Sequence, residues 1–238
     1  RKNMLINLIL YLLYLLYFWT ILSTIRVCYK ESKVGWPVTP YKKLIPFTIY
    51  NTTVSIIQLI HILPMSYFMT KYNRHIFIWN QLSWNFKILF PTWWGKIKWH
   101  GLENIPTYKC IWIGNHQSTL DKAIMMMLPC KTPMIDTSGN GILSLFGISP
   151  NNGINFQKKC KEALNNGMSI NIFPQGTCQH INKGILPLKR EAFDIAYDTN
   201  VPILPYSISY KPMNITVRIR KPIYVNNVTD TMNSLKLI

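Results

Sequence analysis

Apolar positions fall into three textures along the chain. From Met4 to Leu22 the sequence reads MLINLILYLLYLLYFWTIL, with Asn7 and Thr20 the only clearly polar residues. At about 1.5 Å per helical residue this run suffices for a hydrocarbon core of roughly 30 Å, so it predicts a transmembrane helix over 4–22. Tyr17, Phe18 and Trp19 gather near one end, where amphipathic rings favour the lipid–water boundary. A cleaved signal peptide competes with this reading. No A-x-A-like tripeptide follows Leu22, however, and an uncleaved anchor is expected. The second texture, Leu44 to Met69, is apolar but interrupted by Asn51, Thr52, Thr53, Gln58 and His61, with Pro46 and Pro64 near its ends. It fits a second span, a re-entrant element or an interfacial helix.

Beyond residue 70 short apolar runs alternate with turn residues. Tyr72 to Phe90, rich in aromatics and amides, predicts a helix, and Lys96 to His100 predicts a strand leading to Gly101. Cys110 to Ile113 follows Pro106 as a run suited to a buried strand. Ser118 or Thr119 is placed to cap a helix from Asp121 through Leu128, with Asp121 favoured in its first turn. Ser169 to Phe173 predicts another strand, ended by Pro174, Gln175 and Gly176. Glu191 to Asp198 reads as a helix, Val201 to Tyr210 as a strand region broken by Pro202 and Pro205, and Thr216 to Ile219 as a last strand. Strands alternating with helices predict an α/β sheet domain over 71–238, behind a membrane anchor over 1–70.

Charge narrows the partners. The 238 residues hold 26 Lys+Arg against 9 Asp+Glu, a net +17, yet 48% are hydrophobic and only 15% charged. That balance excludes a disordered basic tail. Residues 1–70 carry 7 basic and 1 acidic side chains and the remainder 19 and 8, so the globular part is itself basic. Such an excess points to a polyanion, either nucleic acid or an anionic membrane. The basic residues are dispersed, and no helix-turn-helix, RNP-like or zinc-finger pattern occurs, so nucleic acid is not expected as a partner. An anionic phospholipid membrane is expected, each well-placed Lys or Arg contributing on the order of 1 kcal/mol. Arg1 and Lys2 on one side of the first span, against Arg26, Lys30 and Lys33 on the other, leave its orientation open. The five cysteines (Cys28, Cys110, Cys130, Cys160, Cys178) show no C-x-x-C spacing. They are expected to be reduced and mostly buried, with neither a disulfide framework nor a metal site.

Candidate chemistry gathers at GNHQSTLD, residues 114–121. His116 stands at the mouth of a predicted strand, and Asp121 at the start of a predicted helix. From there the carboxylate can reach back to one imidazole nitrogen, fix the tautomer and leave the other nitrogen facing a substrate proton. This is a base with its orienter and no obvious protein nucleophile, a role that a substrate hydroxyl can fill. Alone, the pair fits a satisfied histidine beside a helix cap just as well.

Three later stretches shift that balance: FPQGTC (173–178), LPLKREAF (186–193) and VPILP (201–205). Together with NHQSTLD, in this order and at this spacing, they resemble the 1-acylglycerol-3-phosphate acyltransferase (lysophosphatidate acyltransferase) family of glycerolipid acyltransferases. That family's blocks read N-H-x4-D, F-P-E-G-T-R, L-P-F-K-[KR]-G-A-F and V-P-I-[VI]-P. The resemblance covers about residues 95–225, and the N-terminal apolar segments fit it. It implies a glycerol-3-phosphate acyltransferase-like α/β fold, a mixed central sheet flanked by helices, with N-terminal transmembrane or membrane-embedded helices. It further implies a membrane-bound O-acyltransferase moving a fatty acyl group from acyl-CoA, a co-substrate rather than a cofactor, to the free hydroxyl of a lysophospholipid. The expected acceptor is 1-acylglycerol-3-phosphate and the product phosphatidic acid. By this resemblance His116 is the general base and Asp121 its orienter. Substrate binding falls to Asn115, Lys158, Lys159, Pro174, Gln175, Gly176, Thr177, Lys183, Lys189 and Arg190, and no metal is required.

The family's middle block, commonly I-D-R, is thought to hold the acceptor's phosphate. GINFQKK (153–159) matches it loosely, Lys159 or Lys158 offering a point charge where Arg offers a fork. Gln175 stands for the family's Glu, Cys178 for its Arg and Glu191 for its Gly. Gln keeps an acceptor oxygen without the charge, and Cys lacks a phosphate-binding fork. Lys183, Lys189 and Arg190 can restore part of the positive charge. Two further readings stay open: a weakly active or inactive lipid-binding relative, and an acyltransferase for a different lysophospholipid. The expected location is an integral membrane position, endoplasmic reticulum or equivalent, with the catalytic domain on the cytosolic side where acyl-CoA is made. The N-x-[ST] sites at Asn214 and Asn227 then stay unmodified.

Overall fold

The computed structural model describes residues 67–94, 96–118, 120–130, 132–137, 155–176, 187–211 and 214–236, with scattered positions before 67. The predicted span over 4–22 and the stretch over 44–69 fall largely outside the described residues. Of the positions described there, Tyr11, Tyr14, Phe18 and Leu22 are helical and exposed. Among the described residues no helix is long and apolar enough to cross a membrane.

The globular part opens with helix α1 (Lys71–Trp94), which continues past the predicted end at Phe90 with Pro91 in its last turn. There follow β1 (Ile97–His100), a 3-10 turn (Leu102–Asn104), β2 (Ile111–Gly114), α2 (Leu120–Met127) and β3 (Met134–Asp136). After them come α3 (Phe156–Asn165), β4 (Ser169–Ile172), α4 (Glu191–Thr199), β5 (Ile203–Lys211), β6 (Asn214–Ile219) and α5 (Val228–Lys236). The strands form one sheet in the order β1-β6-β5-β2-β4-β3. Every neighbouring pair is parallel except β5 with β6, which is antiparallel, so the sheet is mixed as expected.

Alternation along the strands sends side chains to two cores. Trp112, Leu204, Tyr206 and Ile208 meet Trp79 and Phe90 of α1 and Leu120 and Ile124 of α2 on one face. Ile111, Ile113, Ile170 and Ile203 meet Cys160 and Leu164 of α3, Phe193 of α4 and Val228 beside them on the other. β2 and β4 are buried on both faces, which is why CIWI and SINIF read as unbroken apolar or neutral runs. Trp112, Phe90 and Phe193 are fully buried, and removing each from water stabilises the fold by about 2–3 kcal/mol.

One expectation is corrected. Pro205 does not break the strand; it lies inside β5, paired with Ile113 of β2. The ladder with β6 starts only at Tyr206, opposite Ile219, and the Pro205 carbonyl accepts the Arg220 N–H at 2.8 Å. In a strand a residue's N–H and C=O point to the same side, so the donor that proline lacks falls just beyond the end of β6. The bond it cannot make would have gone to the carbonyl of Arg220, an exposed residue past the last paired position of β6.

Candidate active site

The chain leaves β2 at Gly114, which lies so close to the Tyr206 ring that an added Cβ would sit 2.2 Å from it. Only glycine lets the strand end there without displacing the ring. The Tyr206 hydroxyl donates to Asn171 Oδ1 at 2.8 Å, which fixes the ring from beyond. Asn115 then behaves as one more step of the β2–β5 ladder. Its Nδ2 donates to the Ile208 carbonyl at 2.8 Å, and its Oδ1 accepts the Ile208 N–H at 2.8 Å. Sequence reasoning assigned Asn115 to substrate; the structure shows both ends of its amide engaged with β5, where they anchor the loop that carries His116.

His116 Nδ1 lies 2.9 Å from Asp121 Oδ2. The same oxygen accepts the backbone N–H groups of Gln117 at 2.7 Å and Ser118 at 2.9 Å, and the other carboxylate oxygen accepts the Tyr210 hydroxyl. An ionised carboxylate only accepts, so Nδ1 carries a proton and Nε2 is the nitrogen left to take one. The imidazole stacks on the Phe173 ring, centroids 4.3 Å apart and planes 20° apart. The Asp121 side chain is 0% exposed and that of His116 13%, so the carboxylate is sealed while the imidazole stays reachable. Ser118 starts α2, its Oγ accepting the Leu120 N–H at 3.1 Å and its carbonyl the Asp121 N–H at 3.1 Å. That turn brings Asp121, in the first turn of the helix, back over the loop.

The neighbouring parallel strand supplies the other wall. β2 and β4 pair in one register, Ile111 with Ile170 and Ile113 with Ile172, and the same separation of 59 residues recurs where the His116 N–H donates to Gln175 Oε1 at 3.1 Å. The FPQG segment closes as a turn, with the Gly176 N–H bonded to the Phe173 carbonyl at 3.0 Å and Gly176 at φ +72. Lys189 is drawn onto this turn by its N–H bond to the Pro174 carbonyl, 2.8 Å. Its ammonium rests against Gly176, where an added Cβ would lie 2.8 Å from Nζ. Glycine at 176 thus serves twice, for its positive φ and for the space that Lys189 fills.

His116, Asp121, Asn115, Pro174, Gln175, Gly176 and Lys189 are therefore brought together at the carboxyl ends of β2 and β4, the usual ligand position in open α/β sheets. Lys158 and Lys159 are exposed in the first turn of α3, on a helix packed against the opposite face of the sheet. Arg190 is exposed and donates to Asp194 at 2.8 Å; that hydrogen bond, then the Asp194 charge, holds its guanidinium above the ordinary value. Thr177, Cys178 and Lys183 lie outside the described residues. Cys110 and Cys160 are buried as expected, and burial pushes both thiols up to about 12. Sequence reasoning missed Tyr210 and gave Phe173 no role. Phe173 sits inside a block already singled out, whereas Tyr210 is marked only by sharing a strand face with Tyr206 and Ile208.

Comparison with known proteins bears on the fold and the family. The sequence profile of the family described as Acyltransferase matches residues 96–209. A chloroplastic 1-acyl-sn-glycerol-3-phosphate acyltransferase of Brassica napus is 30% identical over 123 residues, which is 45% of this chain and 36% of that protein. One from Arabidopsis thaliana is 27% identical over 128 residues, 48% of this chain and 36% of that protein. The matched segment thus spans about a third of the length of these curated relatives. The crystal structure of the 1-acyl-sn-glycerophosphate (LPA) acyltransferase of Thermotoga maritima superposes with a TM-score of 0.64 at 21% identity, covering 82% of this chain and 93% of that one. At that identity the superposition speaks for the fold, and the ordered motifs and the family profile speak for kinship. These matches support the kinship, suggested by the ordered motifs, with the 1-acylglycerol-3-phosphate acyltransferase family of glycerolipid acyltransferases.

Proposed function

We propose that the protein transfers a fatty acyl group from acyl-CoA to the free hydroxyl of 1-acylglycerol-3-phosphate, giving phosphatidic acid and CoA. The observation that carries this reading is the His116–Asp121 pair, its carboxylate buried and held by four donors. His116 Nε2 takes the proton of the acceptor hydroxyl as that oxygen attacks the thioester carbonyl. The C–O bond forms, the tetrahedral intermediate collapses with cleavage of the C–S bond, and the imidazolium returns its proton to the departing CoA sulfur. Asp121 stabilises the transient imidazolium and keeps Nε2 aimed outward. General-base catalysis of this kind accelerates a reaction by about 10²–10⁴-fold. The Lys189 ammonium beside Gly176 suits a phosphate on either substrate.

The protein works at an anionic membrane, with residues 1–70 as anchor and residues 71–238 as the catalytic domain on the cytosolic face of the endoplasmic reticulum or its equivalent. This is supported by the net charge of +17 and by the exposed aromatic and aliphatic residues Tyr11, Tyr14, Phe18 and Leu22. Gln175 and Cys178 favour a second reading of the acceptor, in which a different lysophospholipid is acylated or activity is low. Both lie in the block where the family carries charged residues. Labelled acyl-CoA and a panel of lysophospholipids, assayed in membranes, separate the two. His116→Ala is expected to abolish transfer and leave membrane attachment intact; full activity in that variant would refute the mechanism.

A further inference from the structure

We infer that Tyr210 is a positioning residue of the catalytic base, acting through Asp121. Its hydroxyl donates to Asp121 Oδ1, the carboxylate oxygen that His116 and the two loop N–H groups leave open. Asp121 is wholly buried, so a donor on that oxygen governs how much negative charge the carboxylate presents to His116. Tyr210 lies one position beyond the segment that the family profile matches. It comes from the same end of β5 that holds Asn115 through Ile208. β5 therefore grips the 114–121 loop at two points, one on each side of His116. The Asn115 grip sets where the loop lies; the Tyr210 grip sets the electronic state of the carboxylate behind the ring.

The consequence has a direction. Removing the hydroxyl leaves Asp121 with one donor fewer, so its charge falls more fully on His116 Nδ1–H and the imidazolium is favoured. The base then holds its proton up to higher pH, and the carboxylate gains freedom to tilt. This rests on the reading of His116 as general base, and the experiment keeps the two ideas apart.

Tyr210→Phe is compared with wild type, with His116→Ala and with Tyr206→Phe. The last removes a second tyrosine hydroxyl on the same strand face, the buried one bonded to Asn171. Two readouts are taken: kcat and KM across pH with labelled acyl-CoA, and titration of the His116 imidazole by NMR of histidine-labelled protein, assigned by its loss in His116→Ala. Tyr210→Phe is expected to lower kcat about fivefold, the equivalent of one ordinary hydrogen bond, with KM unchanged. The acid limb of its activity profile and the imidazole titration should both move to higher pH. Tyr206→Phe is expected to lower thermal stability and move neither. A Tyr210→Phe protein with wild-type kcat and an unmoved titration overturns the inference, as does an equal shift in Tyr206→Phe. If no acceptor is acylated by wild type, the proposed reaction falls, while the imidazole titration still decides whether Tyr210 acts on His116.

Discussion

Asp121→Asn tests the central geometry most sharply, because the structure dictates which way the amide must face. Three donors converge on Asp121 Oδ2: His116 Nδ1 at 2.9 Å and the N–H groups of Gln117 and Ser118 at 2.7 and 2.9 Å. An asparagine has to place its oxygen there, since turning its NH2 inward would set it against two backbone donors. The NH2 then meets the Tyr210 hydroxyl, which rotates from donor to acceptor. The His116 tautomer is kept, and only the charge is lost. The backbone bonds are made alike in ground and transition states, so they do not enter the rate. The bond to His116 does under the proposed mechanism, in which the ring gains a proton as the acceptor hydroxyl loses one. A charge-assisted bond contributes about 1.5–3 kcal/mol against about 1 for a neutral one, leaving a loss of about 0.5–2 kcal/mol. At about 1.4 kcal/mol per decade, kcat should fall roughly 2- to 30-fold with KM unchanged. Initial rates with labelled acyl-CoA and 1-acylglycerol-3-phosphate, beside wild type and His116→Ala, measure it. A folded Asp121→Asn protein as inactive as His116→Ala would mean that the amide has flipped and the backbone donors do not control it. An unchanged rate would mean that the carboxylate's charge plays no part.

Gln175 Oε1 accepts the His116 N–H, a role that a carboxylate oxygen can also fill. Gln175→Glu combined with Cys178→Arg is therefore expected to lower KM for 1-acylglycerol-3-phosphate about tenfold, the worth of one charge-assisted contact; a higher KM in the same assay would mark a different natural acceptor. Alkaline pH should also destabilise the fold. Burial holds the Cys110 and Cys160 thiols protonated up to about 12, against an ordinary 9.0, so the unfolded chain releases these protons first. Stability is complete below about pH 9 and declines between there and about 12, by roughly 1.4 kcal/mol per pH unit for each thiol. Urea midpoints that do not fall between about pH 8 and about pH 10 would contradict it, and Cys110→Ala with Cys160→Ala should flatten the slope.

The strands and helices that frame the site are legible in the sequence because their local pattern and their tertiary burial agree. β2 and β4 are apolar or neutral throughout and bounded by turn residues, and α2 begins at a serine with an acid in its first turn. β3 escapes notice because three residues, Met134–Asp136, are too few to show a period. α3 carries Cys160, Ala163 and Leu164 at helical spacing, but its exposed lysines draw attention to a phosphate instead. In the site itself, the His116–Asp121 bond is local and follows from their spacing. Asn115 looks like a ligand-binding amide until Ile208 is seen to occupy it. Tyr210 is invisible for the same reason: its contact with Asp121 spans 89 residues, and only the sheet order brings the two together.

That reach along the chain also orders events during synthesis. The base and its orienter are made together, five residues apart, but the strand that grips their loop is not complete until Ile208 and Tyr210, and Asn115 and Ile208 are 93 residues apart. At about 5–20 residues per second, a growing chain carries His116 for roughly five to twenty seconds before its anchor exists. Catalytic competence therefore arrives as a single late event, when β5 inserts beside β2, and a chain truncated before β5 holds the catalytic residues without the site.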